Sequence, residues 1–344
     1  MVLLSVNAGS SSLKVSVFDR DNLNTPRAAV SIEGIGLPNS AFIPSGAYGT
    51  DAVRNQPIPD TKAATDLIKD WLCTELSVGA DDIEAIGHRV VHGGEKYANA
   101  AAVDEVLVSY LESITPLAPN HMPGTLTAIE AFRQSYPETH HVACFDTSFF
   151  HDLPEVARTF PIPLPLQREN NIRRYGFHGL SYEFLLGDFA RVEGPDTAKG
   201  RVIMAHLGSG ASVSACNNGA PVESSMGFTP VSGIMMSTRS GDLEPGLIRY
   251  LQDQLGMSLA EVSELLTHKS GLLGVSGTTA DMYTLLQTQH DNPDVKLAIE
   301  LFVYKIKKTI GSFAAAMGGG DSIIFSGGIG ERSAEIRERV CRNL

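Results

Sequence analysis

The 344-residue chain is poor in the features that mark several protein classes. Its four cysteines, Cys73, Cys144, Cys216 and Cys341, are scattered and form no C-x-x-C pair. That argues against a zinc site and a disulfide framework, and the expectation is buried free thiols in a reducing compartment. No apolar run approaches the roughly 18 residues that span a bilayer. Polar Asn7 follows the first apolar residues too early, and without a basic flank, for a signal peptide. The expected location is the cytoplasm. Positive charge is in deficit: 27 Lys and Arg against 39 Asp and Glu leave a net charge of −12, which argues against nucleic acid or an anionic membrane as partner. An anionic substrate would then meet a local basic site. A Walker A loop, G-x-x-x-x-G-K-[ST], is absent as well.

What is present is a globular composition, 43% hydrophobic and 19% charged, on a chain long enough for two domains. The N-terminus carries the most informative stretch. An apolar run at 2–6 leads into Asn7-Ala8-Gly9-Ser10-Ser11-Ser12-Leu13-Lys14, after which Leu13, Val15 and Val17 alternate with polar residues. The pattern predicts strand, tight turn, strand. A turn of glycine and serines beside a lysine presents N–H groups, hydroxyls and an ammonium suited to phosphate oxygens. A solvated serine-rich hairpin is the alternative.

The same pattern recurs at 201–216, where a buried strand candidate enters His206-Leu207-Gly208-Ser209-Gly210-Ala211-Ser212-Val213. Two such hairpins suggest a duplicated architecture. A third glycine turn, Gly327-Gly328-Ile329-Gly330-Glu331, follows a strand at 322–326 and opens a helix, an arrangement that suits a nucleotide. Helices are expected at 61–76, 103–114, 124–135, 245–256, 258–267 and 294–317, and further strands at 83–91 and 141–145. The proline-rich stretch 161–165 reads as a connector. Alternation of strands and helices predicts an α/β protein.

Several charged groups sit among small residues. Arg89, in Gly87-His88-Arg89-Val90-Val91-His92-Gly93-Gly94, ends a hydrophobic strand, so it pairs with a carboxylate or faces a ligand. Arg239, in Thr238-Arg239-Ser240-Gly241-Asp242, has the same choice, with Asp242 or Glu244 as the structural partner. His178 lies between glycines in Arg173-Arg174-Tyr175-Gly176-Phe177-His178-Gly179, and Asp146 follows a strand, where it can orient an arginine or cap a helix.

Taken in order, these motifs resemble those of the acetate kinase family. Met226-Gly227-Phe228-Thr229-Pro230 and Lys269-Ser270-Gly271-Leu272-Leu273-Gly274 belong to the same series, which spans nearly the whole chain. The resemblance implies a duplicated RNase H-like two-domain fold, shared with sugar kinases, Hsp70 and actin, with a nucleotide cleft between the domains. It places an acyl- and phosphate-binding domain at 1–147 and a nucleotide-binding domain at 148–344. It implies reversible phosphoryl transfer from ATP to acetate by direct in-line attack, with Mg²⁺ as cofactor, ATP and ADP as co-substrates and a homodimeric assembly. Arg89 and Arg239 then match the pair that holds carboxylate and phosphoryl, His178 the transition-state stabiliser and Asp146 the essential carboxylate. Val91, Asn120, Phe177 and Pro230 match the acyl pocket. Ser10, Ser12 and Lys14 match phosphate contacts. His206, Leu207, Gly208, Ser209 and Gly210, the run Asp281-Met282-Tyr283, and Gly328, Ile329, Gly330, Glu331 and Arg332 match nucleotide contacts. Asn7 is matched to the metal.

The sequence departs from the family at five places. Asn120 stands where leucine is usual, Ser209 and Arg332 stand for asparagine, and Tyr283 stands for an arginine. The chain also stops at Leu344, where the family continues through a segment with a metal-serving glutamate. From this, Ile336 and Val340 are expected to be exposed on the last helix, and the chain is expected to be an incomplete catalyst. Propionate or butyrate kinase, or a non-catalytic nucleotide-binding relative, are the alternatives. A sugar kinase fits less well, because paired arginines suit an anionic acceptor. Alanine at Arg89 or at Arg239 is expected to cripple turnover with the fold intact.

Overall fold

The computed structural model describes residues 1–9, 11–46 and 52–344. The chain forms two compact units, Met1–Ser148 and Phe149–Leu344.

The first unit is built on β1 (Val2–Ala8), β2 (Ser12–Asp19), β3 (Ala28–Glu33), β4 (Ala41–Gly46), β5 (Arg54–Asn55), β6 (Ile83–Val90), β7 (Ala101–Ala102) and β8 (His140–Phe145). They form one sheet in the order β5-β4-β3-β2-β1-β6-β8-β7. Strands β1 to β5 pair antiparallel, whereas β6 runs parallel to both β1 and β8. The alternation read at 13–17 sets one face, with Leu13, Val15 and Val17 buried, and the apolar run of β1 proves to alternate too, burying Val2, Leu4 and Val6. They share one core with Ala64, Ile68, Trp71 and Leu72 of the helix Thr61–Thr74 and Phe132 of the helix Met122–Ser135. Each of the buried Val, Leu, Ile and Phe side chains contributes roughly 1.5–3 kcal/mol. The helix Thr61–Thr74 starts where Asp60 accepts from Ala63 N, and Glu105–Ser113 starts where Asp104 accepts from Leu107 N, capping donors that would otherwise lack partners.

The second unit holds β9 (Val202–Leu207), β10 (Ala211–Asn217), β11 (Ala220–Ser224) and β12 (Ser322–Ser326) in the order β11-β10-β9-β12. Here β9, β10 and β11 form an antiparallel run and β12 joins β9 in parallel. This repeats β3-β2-β1-β6 of the first unit, so the duplication read from two short hairpins holds at the level of topology. The 25-residue helix Pro293–Met317 lies against β9 and β10. Tyr182, Leu185, Leu186 and Phe189 of the helix Gly179–Glu193 join Val202, Met204 and Cys216 in a separate cluster.

Three expectations need correction. The stretch 161–165 is not all connector, since a helix starts at Leu164 (Leu164–Glu169) with Pro165 in its first turn, where proline's missing N–H costs nothing. Gln167 of this helix is buried and bonds Phe160 N, Phe160 O and Ile162 O, fixing the preceding prolines. Ile336 and Val340 are fully buried rather than exposed, because the helix Ala334–Cys341 packs on Pro293–Met317. The thiols are not all buried: Cys216 is, but Cys73 and Cys341 are exposed.

Candidate active site

In the first unit, three adjacent parallel strands bring chemistry to their carboxyl ends, where open α/β sheets place ligands. Asn7 is the penultimate residue of β1, Arg89 of β6, and Asp146 follows β8. Asp146 N donates to Val90 O at 3.0 Å, which carries the loop after β8 back toward β6. Arg89 grips Asp146 with a bidentate fork: Nε to Oδ1 at 3.0 Å and Nη2 to Oδ2 at 2.6 Å. Its Nη1 donates to Asn7 Oδ1 at 3.3 Å. Asp146 is 1% exposed, whereas the Arg89 side chain keeps 35% of its surface. Both sequence readings of Arg89 are therefore compatible, since the guanidinium pairs with a carboxylate and still presents a face. The Asp146 charge holds the Arg89 pKa above its ordinary value.

The turn after β6 is fixed from within. Gly93 N donates to Thr147 Oγ1 at 3.0 Å, and Gly94 N to His92 Nδ1 at 2.8 Å. Burial lowers the His92 pKa to about 4, so the ring is neutral at pH 7. Val91 is buried beside it. In the β1–β2 hairpin, Gly9 N donates to Ser12 O at 2.8 Å, and exposed Lys14 pairs in register with Asn7. Ser10 lies outside the described residues. Asn120 is exposed in the turn before Met122–Ser135.

In the second unit, His178 occupies the left-handed region (φ 62°, ψ 20°) at the start of Gly179–Glu193. A non-glycine residue there costs on the order of 1–3 kcal/mol and has to be held by its surroundings. Its Nδ1 meets Ser212 Oγ of β10 at 2.8 Å, and its ring stacks at a tilt on His206, with centroids 4.4 Å apart. His206 Nδ1 bonds Ser181 Oγ at 2.9 Å. A Cβ built on Gly210 would stand 3.3 Å from His178 Nε2 and 3.6 Å from Arg239 Nη1. Imidazole and guanidinium thus converge on the space beside Gly210.

Arg239 is held by its own loop. Met236 N donates to Arg239 O at 3.1 Å, Ser237 N to Ser209 O at 3.1 Å and Leu272 N to Met236 O at 2.9 Å. Gly271 (φ 63°) closes the knot, since a Cβ there would lie 2.2 Å from Met236 O. Arg239 Nη1 donates to Pro230 O at 3.0 Å. Asp242 accepts from Gly233 N and Glu244 from Gly246 N. Phe177 and Pro230 are buried nearby in sequence to His178 and Arg239.

A cavity of about 1020 Å³ opens beside these groups. Its walls are the 208–210 turn, Arg239, the run 281–283, and Gly328, Ile329 and Arg332. Backbone-rich glycine turns, two cations and an apolar strip suit a nucleoside phosphate.

The sequence model of the Acetokinase family matches residues 2–344. The chain belongs to the acetokinase family. Acetate kinase of Rhodopseudomonas palustris is 43% identical over 345 residues, covering 99% of this chain and 85% of the relative. Acetate kinase of Bacillus subtilis is 39% identical, covering 99% and 87%. Among solved structures, acetate kinase of Porphyromonas gingivalis superimposes with a TM-score of 0.90 at 36% identity, covering 100% of this chain and 87% of that one. A propionate kinase from Francisella tularensis gives 0.92 at 33% identity, covering 98% and 86%. As a member of the family, the chain is a kinase that transfers phosphate to acetate, with ATP as the implied donor.

Within this acetokinase, the structure gathers Gly208, Ser209, Gly210, Asp281, Met282, Tyr283, Gly328, Ile329 and Arg332 on one cavity. Leu207, Gly330 and Glu331 are not on that wall. Leu207 and Gly330 are buried behind the glycine turn, and Glu331 is exposed, its backbone oxygen accepting from Arg337. His206 supports His178 through its ring. Sequence reasoning missed Ser237, Thr238, Leu286, Gln287 and Glu335, which also line the cavity. Ser237 and Thr238 adjoin Arg239 and were within reach; Leu286 and Gln287 lie on a helix, Met282–Thr288, that the sequence reading did not assign.

Proposed function

We propose that the chain makes acetyl phosphate by direct in-line transfer, with Arg89 and Asp146 serving the acid and His178 and Arg239 serving the phosphoryl group. The observation that supports this most strongly is the convergence of His178 Nε2 and Arg239 Nη1 on the space beside Gly210. In such a transfer, an acetate oxygen forms a bond to the γ-phosphorus as the bond to the ADP oxygen breaks. Acetate is already ionised at pH 7, so no general base is needed. Asp146, with both oxygens engaged by Arg89, acts by orienting the guanidinium. Positioning and cationic stabilisation of spreading charge are then the protein's main contributions. The exposed face of Arg89 is suited to a small carboxylate, which its planar fork can grip. The buried Val91 and Phe177, with Pro230, are apolar enough to limit acid length, while Tyr283, 73% exposed on the cavity rim, offers an aromatic face to a base.

Mg²⁺ belongs to this reading. Among the described residues no group of three His, Cys, Asp or Glu is arranged to hold a metal. Mg²⁺ commonly keeps waters and substrate phosphates as ligands and needs few protein oxygens. Asn7 Oδ1, which accepts one bond from Arg89, retains a lone pair for the metal or its water. When bound, the ion neutralises phosphate oxygens. We also read the chain as a cytoplasmic homodimer. Exposed Leu247, Tyr250 and Leu259 on two consecutive helices, with Leu255 in the turn between them, offer apolar surface to a second copy.

The test is to trap acyl phosphate with hydroxylamine, using ATP, Mg²⁺ and acetate, propionate and butyrate in turn. Acetate should give the highest kcat/KM, with each added methylene costing about 10-fold or more. ATP binding without acyl phosphate from any acid would overturn the reading in favour of a non-catalytic binder; a preference for propionate would move the substrate.

A further inference from the structure

Behind His178 lies a polar chain that the transfer chemistry does not itself require. Ser212 Oγ stands 2.8 Å from His178 Nδ1 and 2.6 Å from the Tyr182 hydroxyl. Ser212 and Tyr182 are both fully buried. Tyr182 projects from the helix that His178 begins, and Ser212 from β10, so the chain ties helix to sheet where His178 is held in the left-handed region. Tyr182 packs edge-on against Phe150, in the cluster with Val202, Met204 and Cys216. Burial keeps its phenol protonated, shifting its pKa up.

The direction of these bonds follows from donor and acceptor accounting. A buried phenol must place its proton on an acceptor. Ser212 Oγ, 2.6 Å from the phenol oxygen, is the polar atom placed to receive that proton. Ser212 Oγ is then the acceptor for Tyr182. A hydroxyl has one proton and two lone pairs, so Ser212, having accepted from Tyr182, directs its proton to His178 Nδ1. His178 is thereby held with Nδ1 as acceptor and its proton on Nε2, the atom that faces Gly210 and Arg239 Nη1. An N–H is aimed at that space before any substrate arrives.

We propose that Tyr182 and Ser212 are positioning residues that fix His178 as the Nε2–H tautomer, making it a preorganised hydrogen-bond donor to the phosphoryl group. This rests on the reading of His178 given above, and the two are separable by experiment. Without the relay, Ser212 could accept from His178 Nδ1–H as readily as donate to it, and the ring would divide between two tautomers, one presenting a lone pair to a phosphate oxygen. Preorganised donors matter because they need no reorientation as charge develops. The logic parallels a buried carboxylate holding a catalytic histidine in one tautomer, with a neutral hydroxyl pair in its place.

The experiment is long-range ¹H–¹⁵N correlation of the imidazole nitrogens in the full chain, assigned by the signal lost in His178→Ala. The wild type should show a protonated Nε2 and an unprotonated Nδ1 near neutral pH. Tyr182→Phe, which removes one oxygen from a core site, should move the Nδ1 and Nε2 shifts toward a tautomer mixture. It should lower kcat roughly tenfold, short of the 10²–10³ that loss of a donor costs. Ser212→Thr, which keeps the hydroxyl, should retain the wild-type shifts, and Ser212→Ala should lose them; this pair decides the matter if Tyr182→Phe does not fold. A wild-type ring protonated on Nδ1, or shifts that are the same in wild type, Tyr182→Phe and Ser212→Ala, would overturn the proposal. If the shifts behave as expected but His178→Ala keeps full kcat, the relay stands and the role given to His178 fails.

Discussion

Gly210→Ala probes the account at the point where two side chains meet. Gly210 is not in the left-handed region, so alanine fits its backbone, and replacing glycine at a compatible site stabilises a chain by about 0.4–1 kcal/mol. The added methyl carbon would stand 3.3 Å from His178 Nε2 and 3.6 Å from Arg239 Nη1. A phosphate oxygen accepting from both needs about 2.7–2.9 Å to each, so the methyl fills the volume that oxygen would take. Displacement of the reacting group by about 1 Å costs on the order of 10²-fold, or about 2.7 kcal/mol of transition-state stabilisation. We therefore expect kcat to fall about 100-fold with the thermal midpoint unchanged or slightly raised. Hydroxylamine-trapped acetyl phosphate and a thermal melt measure both. Gly219→Ala is the contrast: its φ is +77° with open space around it, so it should lower the midpoint and leave kcat alone. A Gly210→Ala enzyme within threefold of wild-type kcat would show that the space beside Gly210 is not where phosphate goes.

Other expectations concern stability as well as rate. Arg89→Ala should cost both, because it leaves Asp146 buried without its guanidinium. Breaking a buried pair costs about 3–5 kcal/mol, and the 35% exposure of Arg89 brings this to roughly 1–3 kcal/mol, readable as a lower denaturant midpoint. Arg89→Ala with undiminished stability would contradict the geometry. Acid should destabilise the first unit. Burial lowers His88 to about 3 and His92 to about 4, and lowers His141 as well. Their stabilisation is present above the unfolded value of about 6.5 and is lost as pH falls toward the folded values. By pH 5, His88 and His92 should each account for roughly 2 kcal/mol; a flat unfolding free energy between pH 7 and 5 would refute this. Asn120→Leu, at an exposed turn, should leave the melt unchanged and raise the propionate-to-acetate ratio of kcat/KM; an unchanged ratio removes Asn120 from the acid pocket.

Much of the fold was legible because apolar periodicity and punctuation agree. The hairpin of β1 and β2 follows from an apolar run at 2–6, a glycine and serine turn and the alternation at 13–17, and the helices Thr61–Thr74 and Leu259–His268 from amphipathic runs that begin at Asp60 and Ser258 caps. Strands β3 and β4 were not read, nor was Gly179–Glu193, whose buried residues are only Gly179 and Tyr182 and whose start is a histidine in a conformation that favours glycine. Proline misled at 161–165, since a helix's first turn accepts it. The candidate site was legible as motifs, because arginine among glycines is a costly arrangement without a purpose. The partners were not. That Arg89 takes Asp146 rather than another carboxylate depends on β6 and β8 lying side by side, a contact 57 residues apart in sequence. The Tyr182–Ser212–His178 chain depends likewise on the helix Gly179–Glu193 packing on the β9–β10 sheet, and the burial of Ile336 and Val340 on the helix Pro293–Met317.

The most direct test of the central claim is a double-mutant cycle on His178 and Arg239, read as kcat for acetyl phosphate formation. Each alanine variant should lose about 10³-fold, in the range of a lost transition-state cation or donor. Groups that act as a unit on one phosphoryl are strongly non-additive, so the double variant should fall no more than about tenfold below the worse single. Full multiplication of the two losses, or near-normal kcat in either single variant, would contradict the account.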